Sequence, residues 1–341
     1  MTSSFKRRVL VPHYARGTPV ETAHNPLACV RYGGDEAGVE VAQGCVFMTL
    51  PGPSPVLYET WHPMQIGEQQ AEGTASIIPR MAGKESGIGW SCEGDVLFAA
   101  FWVQDQPELC DAVQTHYERL ITLSRQKGFP HIYRMWNYLG AINQDNEYGE
   151  ERYRDFCRGR AQAFDALGVE LTALPAATGI GLPAGGVAVY LIAHRVMQGV
   201  NVENPSQLPA YHYPPRYGRR SPSFARATVM EGESQTVLYL SGTASIRGHE
   251  SVGHTLDEQL AITIETIHSL RAAAEKRFPC LQAGRFESIK LYVRHPKDVS
   301  AVQAAIERAF PCPAGQAPLL VADICRAELL VEVEGILLAR H

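Results

Sequence analysis

The sequence lacks a long apolar run. The longest one lies within GGVAVYLIAH at residues 185–194 and is no longer than a strand, whereas a helix that crosses a bilayer needs about 20 apolar residues. The N-terminal apolar segment VLV stops at Pro12 and is too short for the core of a signal peptide. We therefore expect no membrane association and a cytoplasmic protein.

The chain also lacks a metal-binding motif and an excess of positive charge. Its eight cysteines are scattered, with no CxxC pair and no Cys/His cluster at zinc spacing. The formal net charge of −5 provides no basic face for nucleic acid. The sequence therefore predicts reduced thiols, no metal site and no nucleic-acid partner.

A glycine-rich segment, TGIGLPAGG at residues 178–186, resembles a nucleotide-binding loop only in part. Its spacing is GxGxxxG, Pro183 interrupts it, and a strand pattern follows where a helix N-terminus would have to hold a pyrophosphate. We interpret this segment as a plain turn. The chain is therefore predicted to need no nucleotide or other organic cofactor.

Strand and helix patterns alternate in the same order twice along the chain. The C-terminal part predicts strand, helix, strand, helix and strand at residues 236–246, 256–278, 288–294, 299–310 and within 318–338. The middle of the chain predicts the same order at residues 95–103, 108–128, 131–142, 149–168 and 186–195. The repetition indicates an α+β fold of two similar halves, each a mixed sheet with helices on one face.

A proline- and arginine-rich stretch, PAYHYPPRYGRRSPS, separates the two halves. Its prolines exclude regular helix or strand over residues 209–223. We predict an N-terminal domain of residues 1–200 and a C-terminal domain of residues 201–341, with residues 201–227 as the connecting loop. Long loops often carry functional residues.

Two glutamates lie inside a strand pattern near the C-terminus, in LLVEVEGILL. Because successive strand side chains point to opposite faces, Glu332 and Glu334 share one face, and Val331, Val333 and Leu337 share the other. The acidic face is therefore either exposed to solvent or part of a site.

Four segments taken together resemble the chorismatase family. They are residues 135–164 (MWNYLGAINQDNEYGEERYRDFCRGRAQAF), 212–227 (HYPPRYGRRSPSFARA), 241–251 (SGTASIRGHES) and 322–335 (ADICRAELLVEVEG). The strand and helix from YLSGTAS to TIHSL, and the closing LLVEVEGIL, are also similar to the RidA/YjgF fold, whose trimers bind small acids between sheets. The resemblance implies two RidA/YjgF-like halves, a possible homotrimer, and release of pyruvate from chorismate.

The chemistry of chorismate indicates which side chains a site would need. Cleavage of its enol ether begins with protonation of a vinyl carbon, which needs an acid of raised pKa. The resemblance implies that Glu332 is this acid and that Glu334 is structural and paired with a cation. The two substrate carboxylates need guanidinium or other donors. Our candidates are Arg160, Arg219 and Arg226, with Tyr211, Tyr213 and Asn137 as neutral partners.

Three further residues bear on the product. At positions 242, 325 and 207 the chain has Gly242, Cys325 and Gln207, and in this it resembles family members that form 3-hydroxybenzoate. Members that hydrolyse chorismate to a dihydroxycyclohexadiene carboxylate have alanine in place of Gly242. The implied route removes pyruvate by an intramolecular displacement and then aromatises the ring, with Cys325 assisting a proton or hydroxyl step. A branch that also forms 4-hydroxybenzoate stays open. The alternatives are hydrolysis of chorismate to a dihydroxycyclohexadiene carboxylate, an imine or enamine deaminase, which the fold alone would allow, and a non-catalytic ligand-binding protein.

Overall fold

The computed structural model describes residues 7–17, 25–34, 36–66, 79–183 and 185–341. A first sheet lies at the N-terminus and has the strand order β1-β5-β2-β4-β3. Its strands are β1 (Arg8–Arg16), β2 (Ala28–Gly34), β3 (Gly38–Ala42), β4 (Cys45–Leu50) and β5 (Gly52–Gln65). The sequence patterns did not predict this sheet.

The second sheet has six strands in the order β10-β9-β11-β8-β7-β6. They are β6 (Met81–Glu85), β7 (Ile88–Glu93), β8 (Val96–Val103), β9 (His131–Gly140), β10 (Ala176–Leu182) and β11 (Val187–His194). Helices α1 (Cys110–Gln126) and α2 (Arg152–Ala166) pack on one face, where Leu120 and Phe156 share an apolar cluster with Phe101 and Leu139 of the strands.

The third sheet has the order β12-β13-β14-β19-β17-β18. Its strands are β12 (Val200–Val202), β13 (Ala227–Glu231), β14 (Gln235–Ala244), β17 (Arg285–Val293), β18 (Leu319–Val321) and β19 (Val331–Arg340); a separate ribbon pairs β15 (Ile246–Arg247) with β16 (Glu250–Ser251). Helices α3 (Leu256–Arg277) and α4 (Val299–Ala309) cover one face of this sheet.

Helix α3 begins at a capping box. The Thr255 hydroxyl accepts from the Glu258 backbone N–H at 3.3 Å, and the Glu258 carboxylate accepts from the Thr255 N–H at 3.0 Å. These two bonds satisfy backbone donors that the first turn leaves free.

The remaining faces of the three sheets meet in one common core. Trp61 of the first sheet packs against Trp136 of the second with ring centroids 4.9 Å apart, and Tyr239 of the third packs against Tyr133 of the second at 5.1 Å. Ile336 and Leu338 of β19 belong to the same buried cluster. All three sheets therefore contribute to the interior where the acidic face of β19 lies.

The α+β prediction is confirmed, and the four helices lie within the predicted ranges. No helix in the described parts of the chain is long and apolar enough to span a membrane. The proposed division at residue 200 stays a prediction.

The interpretation of residues 178–186 as a plain turn is wrong for its first half. Residues 176–182 form strand β10, parallel to β9. A Cβ at Gly181 would lie 2.7 Å from the Cβ of Asp323, so this glycine allows a close approach of the segment before β19. Gly181, one of the glycines that indicated a turn, thus serves packing against the segment before β19.

Candidate active site

The two glutamates lie on the central strand of the third sheet. β19 pairs with β14 on one side and with β17 on the other. Val331, Val333 and Leu337 pack in the cluster beneath the helices, while Glu332 and Glu334 are each 4 % exposed. The predicted alternation is confirmed, and the acidic face is buried against the second sheet.

A bulge in β14 makes room for Glu332. The register with β19 shifts between Leu240 and Thr243. A Cβ on Gly242, which lies within this bulge, would overlap Oε1 of Glu332. Only a residue without a side chain leaves the carboxyl group in its observed position.

The carboxyl group of Glu332 lies in a cavity between the second and third sheets, with an empty volume of about 610 Å³, part of it open to solvent. Its walls come from helix α2, strands β10, β14 and β19, and the loops around residues 213–226 and 325–326. The lining side chains include Tyr153, Arg160, Thr178, Tyr213, Pro222, Phe224, Arg226, Ala244, Ile246, Cys325, Arg326 and Glu332.

Three arginines of this cavity have no carboxylate at salt-bridge distance among the described residues: Arg160, Arg226 and Arg326. Arg160 and Arg226 are 5 % and 4 % exposed, and in the described chain the Nε atom of each is buried without a hydrogen-bond partner. Buried cations are usually paired. These guanidinium groups are therefore suited to an anion that enters the cavity.

Neutral groups hold the same arginines in place. Arg226 donates to the Tyr213 hydroxyl at 2.7 Å and to the Leu208 carbonyl at 2.9 Å. Arg160 donates to the Ser223 carbonyl. Arg326 donates to the carbonyl of His249 at 2.9 Å and lies 4.1 Å from the ring centroid of Tyr217. Because none of these partners carries a negative charge, the positive charge remains available to a ligand.

Burial, and secondarily the charge of Glu334, raises the pKa of Glu332 to about 8. The Sγ atom of Cys325 lies 4.0 Å from Oε2 of Glu332. Burial and the nearby Glu332 raise the pKa of the Cys325 thiol well above its usual value. At neutral pH the cavity therefore contains a protonated carboxyl group beside a neutral thiol.

Glu334 lies two residues after Glu332 on β19, but its environment differs from that of Glu332. Arg134 donates to its Oε2 at 2.7 Å, and Lys290 lies 3.0 Å from its Oε1. Trp136, Thr178 and Tyr292 also donate to this carboxylate. Burial alone would raise the pKa of Glu334, but the charges of Lys290 and Arg134 outweigh it and the pKa is lowered. Glu334 is therefore paired with two cations, Arg134 and Lys290.

The structure brings six of the predicted site residues to the cavity: Glu332, Cys325, Gly242, Arg160, Arg226 and Tyr213. Two more lie behind its wall. Asn137 donates to the Thr178 carbonyl at 2.8 Å, and Gln207 donates to the Ile246 carbonyl at 3.1 Å. Both side chains fix backbone that lines the cavity.

Two predicted residues are not brought to the cavity. Arg219 is exposed and lines a separate surface cleft with Glu150 and Glu151. Tyr211 is half-buried and packs edge-on against His212. The loop between residues 209 and 223 turns these side chains away while its Tyr213 faces inward.

Tyr153, Thr178, Arg326 and Arg134 were not predicted from the sequence. Tyr153 precedes Arg160 by seven residues on α2, so helical periodicity places both on one face and could have indicated it. Arg326 follows Cys325 directly. Thr178 was missed because its segment was interpreted as a turn. Arg134 was missed because its partner, Glu334, lies 200 residues away and gives no local signal.

Comparisons with known proteins show what the whole chain is similar to. A family model described as chorismatase FkbO/Hyg5-like, N-terminal, matches residues 75–193. The chain is 40% identical over 309 residues to a 3-hydroxybenzoate synthase of Streptomyces hygroscopicus, covering 88% of this chain and 90% of that protein. It is 36% identical to a chorismatase of Streptomyces rapamycinicus, covering 91% and 92%. A chorismatase crystal structure superposes with a TM-score of 0.85 at 30% identity, covering 97% of this chain and 99% of the other.

Proposed function

Because the chain belongs to the chorismatase family, we propose that it cleaves the enolpyruvyl ether of chorismate to give pyruvate and 3-hydroxybenzoate. The observation that carries the proposal is one cavity in which three arginines without carboxylate partners, among the described residues, surround a protonated glutamate. Chorismate is a dianion whose ether must be protonated on carbon, so it needs both kinds of group.

The arginines bind the two substrate carboxylates in this proposal. A guanidinium group presents parallel donors that match a carboxylate. Arg160 and Arg226 have buried Nε donors free for this purpose within the described structure, and Arg326 adds a third positive charge to the lining of the cavity.

Glu332 supplies the proton. Its carboxyl group donates to the methylene carbon of the enolpyruvyl group, which leaves an oxocarbenium ion beside the new Glu332 carboxylate. The negative charge stabilises that cation in a buried setting where electrostatic interactions are strong. An acid with a pKa of about 8 is still protonated at neutral pH and remains able to transfer its proton.

The second stage breaks the bond between the ring and the ether oxygen. The neighbouring ring hydroxyl displaces pyruvate, and loss and return of protons then aromatises the ring. Pyruvate and 3-hydroxybenzoate together contain the atoms of chorismate, so no water is consumed. Cys325, a neutral thiol close to Glu332, assists a proton or hydroxyl step on this route.

Gly242 and Cys325 support the aromatic product over hydrolysis, and the relative named 3-hydroxybenzoate synthase supports it further. Formation of 4-hydroxybenzoate as a second product is not part of this proposal. It becomes an outcome to be measured.

The test is incubation of the purified protein with chorismate, followed by chromatography of the products against standards. We expect equal amounts of pyruvate and 3-hydroxybenzoate. A dihydroxycyclohexadiene carboxylate would assign hydrolysis, and 4-hydroxybenzoate would assign the bifunctional branch. Untouched chorismate together with consumption of 2-aminoacrylate would replace the proposal with a deaminase.

A homotrimer and a cytoplasmic location remain predictions from the sequence. Sedimentation analysis of the purified protein measures the first, and fractionation of the producing cells measures the second.

A further inference from the structure

A cluster of four buried charges links the three sheets behind the cavity. Lys290 of β17 lies 2.6 Å from Glu59 of β5 and 3.0 Å from Glu334 of β19, and Arg134 of β9 donates to Glu334. Their exposed fractions are at most 4 %. Two cations and two anions balance, so the cluster is neutral as a whole.

Glu59 contacts the cavity only through other residues. It accepts hydrogen bonds from Tyr32 at 3.0 Å, Trp61 at 2.7 Å and Tyr190 at 2.7 Å. These donors and Lys290 fix the carboxylate in the common core of the three sheets. A group supplied by the first sheet thus orients the lysine that contacts Glu334.

Glu334 in turn lies next to the acid. Glu332 and Glu334 share one face of β19, where residues two apart are separated by about 7 Å along the strand. The Thr178 hydroxyl joins them structurally, because it donates to Glu334 and accepts from the Gly242 backbone N–H at 3.0 Å. Gly242 is the residue in contact with the Glu332 carboxyl group.

Two buried carboxyl groups this close do not both ionise readily. Glu334 has two cations at salt-bridge distance, whereas in the described chain Glu332 has none. The proton shared by this pair therefore resides on Glu332. The lowered pKa of Glu334 and the raised pKa of Glu332 agree with this division.

We propose that Glu334, Lys290 and Glu59 are positioning residues: Lys290, held by Glu59, keeps Glu334 ionised, and the charge of Glu334 adds to the effect of burial in keeping the proton on Glu332. The role of that proton in catalysis rests on the proposed function, but its location does not.

The other groups that face Glu332 either lower its pKa or are neutral. Arg134 of β9 and Arg226, which precedes β13, both favour its ionised form. Tyr153 of α2 and Cys325 have raised pKa values and stay neutral. Without the charge of Glu334, burial would still favour the protonated form of Glu332, but the two arginines would offset more of that effect and Glu332 would release its proton at lower pH.

The experiment follows the protonated carboxyl band of Glu332 by infrared spectroscopy as pH is raised, with E332Q used to assign the band. In E334Q we expect the midpoint to fall by about one pH unit or more. E334D, which keeps the charge, should keep the midpoint close to that of the wild type. E59Q should lower the midpoint by less than E334Q does. E93Q, which removes the partner of Arg8 and Arg80 far from the cavity, is the matched control and should leave the midpoint unchanged.

The falling limb of pyruvate release against pH should move with the spectroscopic midpoint in each variant. If E334Q and E59Q leave the midpoint of Glu332 in place while the wild type releases pyruvate, the positioning role is overturned and the proposed function survives. If the wild type releases no pyruvate yet the midpoint shifts as expected, the proposed function fails and the positioning of the proton stands.

Discussion

At the scale of the residue, two glutamates on one strand face have pKa values shifted in opposite directions. Glu334 is surrounded by donors and paired with two cations, whereas Glu332 is buried beside Gly242, the Cys325 thiol and Glu334, with no cation at salt-bridge distance among the described residues. Strand periodicity alone predicted that both share a face. Which of them keeps a proton could not be read locally, because the deciding cations, Lys290 and Arg134, lie on other strands.

Replacement of the proposed acid tests this assignment. Glu332→Gln keeps the size of the side chain but cannot donate an acidic proton, so we expect turnover to fall about 100-fold or more, with chorismate binding retained. Pyruvate release and calorimetric binding measure the two effects separately. Near-normal turnover in this variant would remove Glu332 from the mechanism, whereas Glu334→Gln is expected to be milder at neutral pH.

At the scale of the element, the bulge in β14 shapes the cavity beside Glu332, and we expect it to influence which product forms. Its Ser241 is tied to the second half of the connecting loop, since the Ser241 N–H donates to the Arg226 carbonyl and the hydroxyl donates to the Ala225 carbonyl. The bulge is thereby fixed from outside the sheet. Gly242 is left facing the carboxyl group of Glu332.

A side chain at this bulge should change the product mixture. In a Gly242→Ala, Cys325→Ala double variant, the new methyl group displaces the Glu332 carboxyl group and the neighbouring thiol is lost. We expect pyruvate release to continue while the output moves from 3-hydroxybenzoate toward the non-aromatic hydrolysis product, as chromatography would report. Cys92→Ala, which removes a buried thiol of β7, is the control; an unchanged ratio at a lower rate would mean that Gly242 and Cys325 serve packing alone.

Elements with strong local signals were predictable. Helix α3 has a capping box at its start and Lys276 and Arg277 in its last turn, and it lies within one residue of the predicted range. Strand β10 was not predictable, because its Gly181 allows a contact with Asp323, about 140 residues later in the chain, rather than a local turn. The four helices and the strand with Glu332 and Glu334 could thus be predicted from the sequence. The contact of β10 with the segment around Asp323 could not.

At the scale of the whole molecule, the three sheets share one core, and this sharing explains why the first sheet escaped prediction. Glu59 and Thr60 are adjacent on β5 and are both almost fully buried, so the strand shows no alternation of polar and apolar positions. Its polar residues are satisfied by partners elsewhere, such as Lys290, which is 231 residues away. Such pairing leaves no trace in a local pattern.

The whole protein is expected to work without a metal or organic cofactor. Among the described residues, no three His, Cys, Asp or Glu side chains come together in a way that could hold a metal ion. Because the proposed route takes its proton from Glu332, we expect activity on chorismate to survive prolonged dialysis against a chelator and to need no added nucleotide. Recovery of a dialysed, inactive protein on addition of a metal ion would contradict this expectation.

Strand β19 is synthesised after every other strand of the third sheet, although it forms the centre of that sheet. Until residues 331–340 leave the ribosome, β14 and β17 have no partner between them and expose open edges that invite pairing with other chains. Lys290 lacks one of its two carboxylates over the same interval. We therefore expect the nascent chain to be most prone to aggregation late in translation, and Glu332 reaches the cavity in the same step that closes the sheet.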